Sequence, residues 1–533
     1  MAGTRVLQYH VHDFALASPA RHDNPFRVGL TATFRCEHSR LQVRDLPGFH
    51  DGGQAWKIRF CPPALGKWTG VTRSDDPAMD GIKLPAVTCV PNRNPAVHGL
   101  LSIDPHHRHR LMWSDGTPFV LLGFELDWLA AFHQRLGQPK GKPVNRRDDR
   151  FAVAMDLLVR RGFNYLVSNL YAHSLFADPA EPYAFTPPEM YPFGGTNDQP
   201  DHSVLNVKFF RDFDGAIAAL HRRGIAVDLM FLVSNKAVNW PAPFSIEDDT
   251  FWKYVVARYQ AYGNIVWDPC KESFVLGRYA PAHGYTFSRI ELIRRHDAYG
   301  HLVTAHDNVE HSRGRSGTVD AVCDLASDQV HLYAKGFSDE ETTASAREYN
   351  REAVRRFRLS DKPYLNVEFA YEKGIGPIKT LDWHGSRPWQ HLLIWCYAIY
   401  AGGGYPNYYY NNTSWNLVKF NPQPPSWRRY RYLRDFVEMM DLGPMAPDNE
   451  FARRGMCLAQ PGRQYYVFLP EGGDEVLDLA CVEPGRAITA TWMDIYTGRR
   501  ARTKVDERKF ATPLANPLPD KKAPCAVYVR VAD

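Results

Sequence analysis

The sequence predicts an α/β fold in which a (β/α)8 barrel is flanked by an N-terminal and a C-terminal β-sandwich. Three observations carry that prediction. Residues 99–442 alternate apolar strand-like runs with segments of helical periodicity. Residues 1–98 and 443–533 show period-two alternation broken by Gly and Pro turns. The first strand-helix unit carries no glycine-rich phosphate loop, which disfavours a doubly wound sheet. A chain of 533 residues also exceeds what one hydrophobic core usually covers.

In the N-terminal part, Val28, Leu30, Ala32 and Phe34 alternate with small or polar neighbours, and Trp56, Ile58 and Phe60 alternate with Lys57 and Arg59. Asp51-Gly-Gly53 and Pro62-Pro63 punctuate these runs at the spacing of a small sandwich. Pro105 with His106-His-Arg-His109 reads as an exposed linker. The barrel strands are then expected at Phe119–Gly123, Tyr165–Leu170, Ile225–Val233, Ile265–Trp267, Leu302–Ala305, Gln329–Tyr333, Tyr364–Glu368 and Tyr405–Tyr410. Between them, Phe151, Met155, Leu158 and Val159 mark one helical face, and Ser245-x-x-Asp248 reads as a capping box. Residues Tyr171–Asn206 form the longest insertion, rich in Pro, Gly and aromatics, as a loop walling a cleft would be. After Leu442-Gly443-Pro444, the runs Tyr465–Leu469, Ile488–Trp492 and Val527–Val531 return to strand alternation.

Composition narrows the function classes. Hydrophobic residues make up 44%, charged residues 23%, and the net charge is +5 without any basic run, so no nucleic-acid footprint is present. Aromatic residues reach 13%, which suits stacking on sugar rings and equally suits a large aromatic core. Met1–Asn24 lacks a continuous apolar stretch, which predicts no secretory signal, no membrane span and a cytoplasmic location. The nine cysteines are odd in number, scattered and free of any CxxC pair, as expected for reduced thiols.

Two glutamates stand at the ends of expected strands. Glu272 follows the fourth and Glu368 closes the seventh, 96 residues apart. In a barrel both carboxyls then point into the same mouth. Paired carboxylates in one cleft are the minimum equipment for cleaving a glycosidic bond, one protonating the leaving oxygen and the other attacking the anomeric carbon. Further strand-end polar groups would line subsites: Glu125 and Asp127, Asn169 and His173, Asn235, His306, and His331 with Tyr333. Trp415, Trp383 and Tyr408–Tyr410 could stack on sugars. His306-x-x-x-Glu310-His311 has metal-like composition without the HExxH spacing, so no metal and no cofactor are expected.

The motifs around the two glutamates carry a family resemblance. Ala257-Arg-Tyr-Gln-Ala-Tyr-Gly-Asn264-Ile-Val-Trp267 with Glu272 five residues on, and Pro363-Tyr-Leu-Asn-Val-Glu368-Phe-Ala-Tyr-Glu372, resemble the fourth- and seventh-strand stretches of apiosidase-like and related (β/α)8 glycoside hydrolases of retaining clan A. Asp115-Gly-Thr-Pro-Phe-Val-Leu-Leu-Gly123 is similar to the first-strand entry of that group, and the flanking β-rich segments are similar to its accessory domains. The resemblance implies a retaining glycosidase with Glu272 as acid/base, Glu368 as nucleophile and a carbohydrate as the partner. Glu372 competes for the nucleophile's place.

One position departs from the group. Where the clan places Asn before the acid/base, to contact the sugar 2-hydroxyl, this chain has Lys271. A cation there either lowers the acid's pKa, pairs with an anionic sugar substituent, or is neutralised by Asp268. The alternatives that remain open are a non-catalytic carbohydrate-binding barrel and a glycosidase with an inverting or transglycosylating outcome. The sequence does not choose between a monomer and a homo-oligomer.

Overall fold

The computed structural model describes residues 4–127, 129, 150–172, 191–233, 238–272, 282–306, 322–331, 339–374, 386–414, 423–424 and 426–532. Its centre is a parallel, TIM-barrel-like sheet. In spatial order the strands are Ile265–Lys271, Ala226–Val233, Tyr165–Asn169, Gly123–Glu125, Tyr405–Tyr410, Tyr364–Asn366 and Ala326–Asp328. Every residue of Ala226–Val233 and Tyr405–Tyr410 is buried, as in a sheet covered on both faces. Between the first and last of these strands runs Leu302–Thr304. The amide of Trp267 donates to Leu302 (2.9 Å) and that of Thr304 to the Trp267 carbonyl (2.8 Å), while Val303 accepts from Asp324 (2.7 Å).

Helices Arg150–Arg160, Val207–His221, Ile246–Tyr259, Ala282–His296, Asp339–Leu359, Trp389–Ala401 and Trp427–Val437 separate the strands. The Ser245 hydroxyl caps its helix by accepting from the Asp248 amide at 3.1 Å, as the sequence predicted. Gly224 closes the Val207–His221 helix with a left-handed φ of +67°, and a Cβ there would lie 2.4 Å from the Ala96 carbonyl oxygen. That turn therefore needs glycine twice over.

Three expected strands differ from what forms. The first barrel strand is Gly123–Glu125, whereas Pro118–Phe119 pairs antiparallel with Leu111–Trp113, which pairs in turn with Leu101–Ile103. The expected linker is the turn joining Leu101–Ile103 to Leu111–Trp113, with Pro105, His106 and Arg108 exposed; His109 stacks on Phe357, and the next residue, Arg110, is buried, donating to the carbonyls of Leu442, Gly403 and Met445. Leu302–Ala305 contributes a single bridge at Val303. The sixth strand is Ala326–Asp328, which leaves Gln329 and His331 just beyond its end.

Flanking the sheet, a five-stranded and a three-stranded sheet of the N-terminal region enclose one cluster around Phe14, Phe34, Trp56 and Trp68. Arg59, expected to face solvent opposite Trp56, is instead buried against the barrel. It donates to the Arg258 carbonyl (2.8 Å) and pairs with Asp214 (3.0 Å), while Arg258 pairs with Asp214 (2.7 Å) and Asp51 (3.1 Å) over the Phe49 ring. At the other end, a six-stranded and a two-stranded sheet enclose a cluster around Tyr465, Trp492 and Val527. Among the described residues no helix is long and apolar enough to cross a membrane.

Candidate active site

Parallel strands end on one face, so residues just past those ends converge. Lys271 is the last residue of its strand, and Glu272 follows with φ +54°, a left-handed conformation that a side chain larger than glycine's enters at a cost. That turn leaves Lys271 fully buried and Glu272 half-buried. Glu368 lies two residues beyond Tyr364–Asn366, and its carboxylate is buried.

One amide joins the two glutamates. Gln329 Nε2 donates to Glu368 Oε1 at 3.0 Å and to Glu272 Oε1 at 3.4 Å. The carboxylates therefore face one another across a gap no wider than those two contacts laid end to end. The Glu368 Oε1 atom also accepts from the Tyr371 hydroxyl and lies 3.4 Å from His331 Nε2. Its Oε2 atom lies 3.5 Å from both Lys271 Nζ and His306 Nε2. Burial pushes this carboxyl's pKa up, but Lys271, His306 and His331 outweigh it and hold the group well below the usual carboxylate range.

The Lys271 ammonium donates to Glu125 and lies 3.4 Å from Asp127 Oδ1 and 3.3 Å from the Tyr409 hydroxyl. Asn407 donates to Glu125 (3.2 Å), Asn169 to Asp127 (3.1 Å), and the Tyr409 hydroxyl to Asp127 (2.6 Å). Gly123 is what admits Asn407 here, since a Cβ would lie 2.2 Å from its side-chain oxygen. Asp268 accepts from the backbone of Cys270 and His306 instead of pairing with Lys271. Among the described residues, Glu125, His306 and Glu368 bring ligand-type atoms within 4.8 Å of one another, but the ammonium already fills the cationic position between the two glutamates.

The expected residues Glu125, Asp127, Asn169, Lys271, Glu272, His306, His331 and Glu368 thus gather in one place. His173, Asn235, Tyr333, Trp383 and Trp415 lie outside the described residues. Glu372 is turned away: it accepts from Ser426 (2.7 and 2.6 Å) and from the Tyr408 hydroxyl (2.8 Å), behind the sheet among Phe163, Trp427 and Tyr430. Tyr408 and Tyr410 pack in that outer layer, and only Tyr409 of the three points to the site.

The model of the apiosidase-like catalytic domain matches residues 106–428, which span the sheet and all of these groups. The chain belongs to the apiosidase-like family. Its catalytic domain makes it a glycosidase. Residues 5–75 match a domain of unknown function, DUF5060. A "putative glycoside hydrolase" from Bacteroides vulgatus ATCC 8482 superposes with a TM-score of 0.76 at 18% identity, covering 99% of this chain and 100% of that one. A family 5 glycoside hydrolase from the same organism gives 0.58 at 15% identity, over 81% and 93%. No curated protein matches the chain.

In the apiosidase-like domain the groups that sequence reasoning missed are Gln329, Tyr371 and Asn407, while Tyr409, expected only as one of a sugar-stacking run, instead donates its hydroxyl to Asp127. Gln329 was read as the start of a strand, and its position beyond the strand end makes it a site residue. The motif around Glu368 contained Tyr371, three residues on, but nothing local signals that its hydroxyl turns back.

Proposed function

We propose that the chain is a retaining glycosidase acting on an oligosaccharide or small glycoside, with Glu272 as acid/base and Glu368 as nucleophile. The observation that carries this is the single Gln329 amide touching both carboxylates, at 3.4 and 3.0 Å. A separation of about 5 Å suits double displacement, whereas an inverting water needs about 6.5 Å or more. Protonated Glu272 gives its proton to the leaving oxygen while the Glu368 carboxylate bonds to the anomeric carbon, and the aglycone departs. Glu272, now a carboxylate, takes a proton from water; the water oxygen displaces Glu368 and releases the sugar. The ionised, buried state of Glu368 supports its assignment as attacking group, and the outward orientation of Glu372 argues against that residue in the same role.

The same proposal divides the chain into a β-sandwich over 1–98, a (β/α)8 barrel over 99–442 and a second β-sandwich over 443–533. The nine cysteines are thiols, eight of them buried, which favours a reducing, cytoplasmic setting where soluble glycosides are the available substrates. The test is a screen of aryl glycosides, including furanosides and uronides, followed by Glu368→Gly with azide. Recovery of a glycosyl azide of inverted anomeric configuration identifies the nucleophile. A Glu368→Gln variant as active as the parent would leave a non-catalytic sugar-binding barrel as the better account.

A further inference from the structure

We propose that Lys271 is an internal counter-ion that positions the nucleophile rather than a ligand for the sugar. The inference rests on the assignment of Glu368 above and concerns the one position that departs from the resembling enzymes. An ammonium carries three N–H groups. Lys271 Nζ has four oxygen atoms around it: Glu125 Oε1, Asp127 Oδ1 at 3.4 Å, Tyr409 Oη at 3.3 Å and Glu368 Oε2 at 3.5 Å. Its donors are thus committed to protein oxygens, and the side chain is buried.

The anchors are themselves fixed. Glu125 is held by Asn407, and Asp127 by Asn169 and Tyr409, all three on neighbouring strands. Lys271 cannot swing toward a ligand without leaving buried carboxylates uncompensated, which costs more than most single contacts return. The charged and titratable groups facing this cluster are Glu125 and Asp127 from the first strand end, Glu272 beside Lys271, His306, His331, Glu368 with Tyr371, and Tyr409. Among the described residues, four carboxyls meet one obligatory cation. That balance accounts for the depressed Glu368 and for Glu125, which burial first and then Asp127 and Glu368 push well above its ordinary range despite Lys271. The cation expected to weaken the adjacent acid thus also approaches the nucleophile, 3.5 Å from Glu368 Oε2.

The test compares the full-length parent with Lys271→Met and with Lys271→Met/Glu125→Gln, which removes the charge pair together. In kcat/KM against pH, on an aryl glycoside that the parent hydrolyses, the acidic limb of Lys271→Met should rise by at least about one pH unit with KM within about threefold. An acidic limb that stays in place while KM rises about tenfold assigns Lys271 to the sugar and overturns the proposal. Melting temperature reads the same point without turnover, so it stands apart from the glycosidase assignment. Without the ammonium the buried carboxyls titrate above their unfolded values, so their stabilising contribution is lost as pH rises. Lys271→Met should therefore fall further below the parent at pH 8 than at pH 5, and the double variant should recover part of the gap. A gap equal at both pH values, or a double variant no better than the single, overturns it.

Discussion

Replacing Gln329 by leucine removes the donor that spans Glu272 and Glu368 while nearly conserving side-chain volume. The bond to Glu368, at 3.0 Å, is a hydrogen bond to a charged group, worth about 1.5–3 kcal/mol. The 3.4 Å contact to Glu272 is long and adds little on that scale. If the bond orients Glu368 for attack, its loss falls on the transition state. At about 1.4 kcal/mol per tenfold, kcat/KM should drop by about 10- to 100-fold, with most of the loss in kcat. Stability should move little, because Gln329 Oε1 is a buried acceptor with no hydrogen-bond partner among the described residues, and leucine removes that unmet group along with the useful one. The assay is steady-state kinetics on an aryl glycoside together with a thermal melt. A variant whose kcat/KM stays within about twofold of the parent, with an unchanged melt, refutes the idea that this amide sets the geometry of the two carboxylates.

Glu372 supplies a stability prediction. Burial raises its pKa to about 7, against the lowering effect of Ser426 and Tyr408. A carboxyl raised above its unfolded value stabilises the fold below that value, and the contribution disappears as pH rises through about 7. Glu372→Gln should therefore gain melting temperature relative to the parent between pH 6 and pH 8, with hydrolysis retained; a constant difference across that range contradicts the assignment. Arg258→Met strips the cation from Asp51 and Asp214 and should cost about 3–5 kcal/mol, seen as a lower melting temperature and earlier proteolysis near residue 60. Unchanged proteolysis would show that this ion cluster does not hold the N-terminal sheets to the barrel.

Much of the fold was legible in local pattern. Ala226–Val233 and Tyr405–Tyr410 are largely apolar or aromatic runs of strand length, interrupted by Asp228 and by Asn407, and Ser245 announces its helix by a cap made with a residue three positions away. Phe119–Gly123 misled because the run Pro118–Gly123 is apolar throughout while its first residues turn back onto Leu111–Trp113; periodicity does not separate a hairpin arm from a barrel strand. The sixth strand was placed a few residues late because Ala326-Ser-Asp328 is polar by composition, yet it is buried in the sheet. Arg59 likewise alternates with apolar residues as a surface charge would, yet it is buried against Asp214, an aspartate from another segment that also pairs with Arg258.

By itself the sequence determined the strand-helix rhythm, the β-rich ends and the two glutamates beside strand ends, since each depends on contiguous residues and their turn chemistry. Only the tertiary structure decided where Lys271 spends its charge, which way Glu372 faces, and that Gln329 lies between the two carboxyls. Glu125 and Lys271 are 146 positions apart, and no local pattern encodes which buried carboxylate a lysine meets once eight chain segments converge. Facing direction follows from strand parity and exact strand ends, where a shift of one residue reverses every side chain.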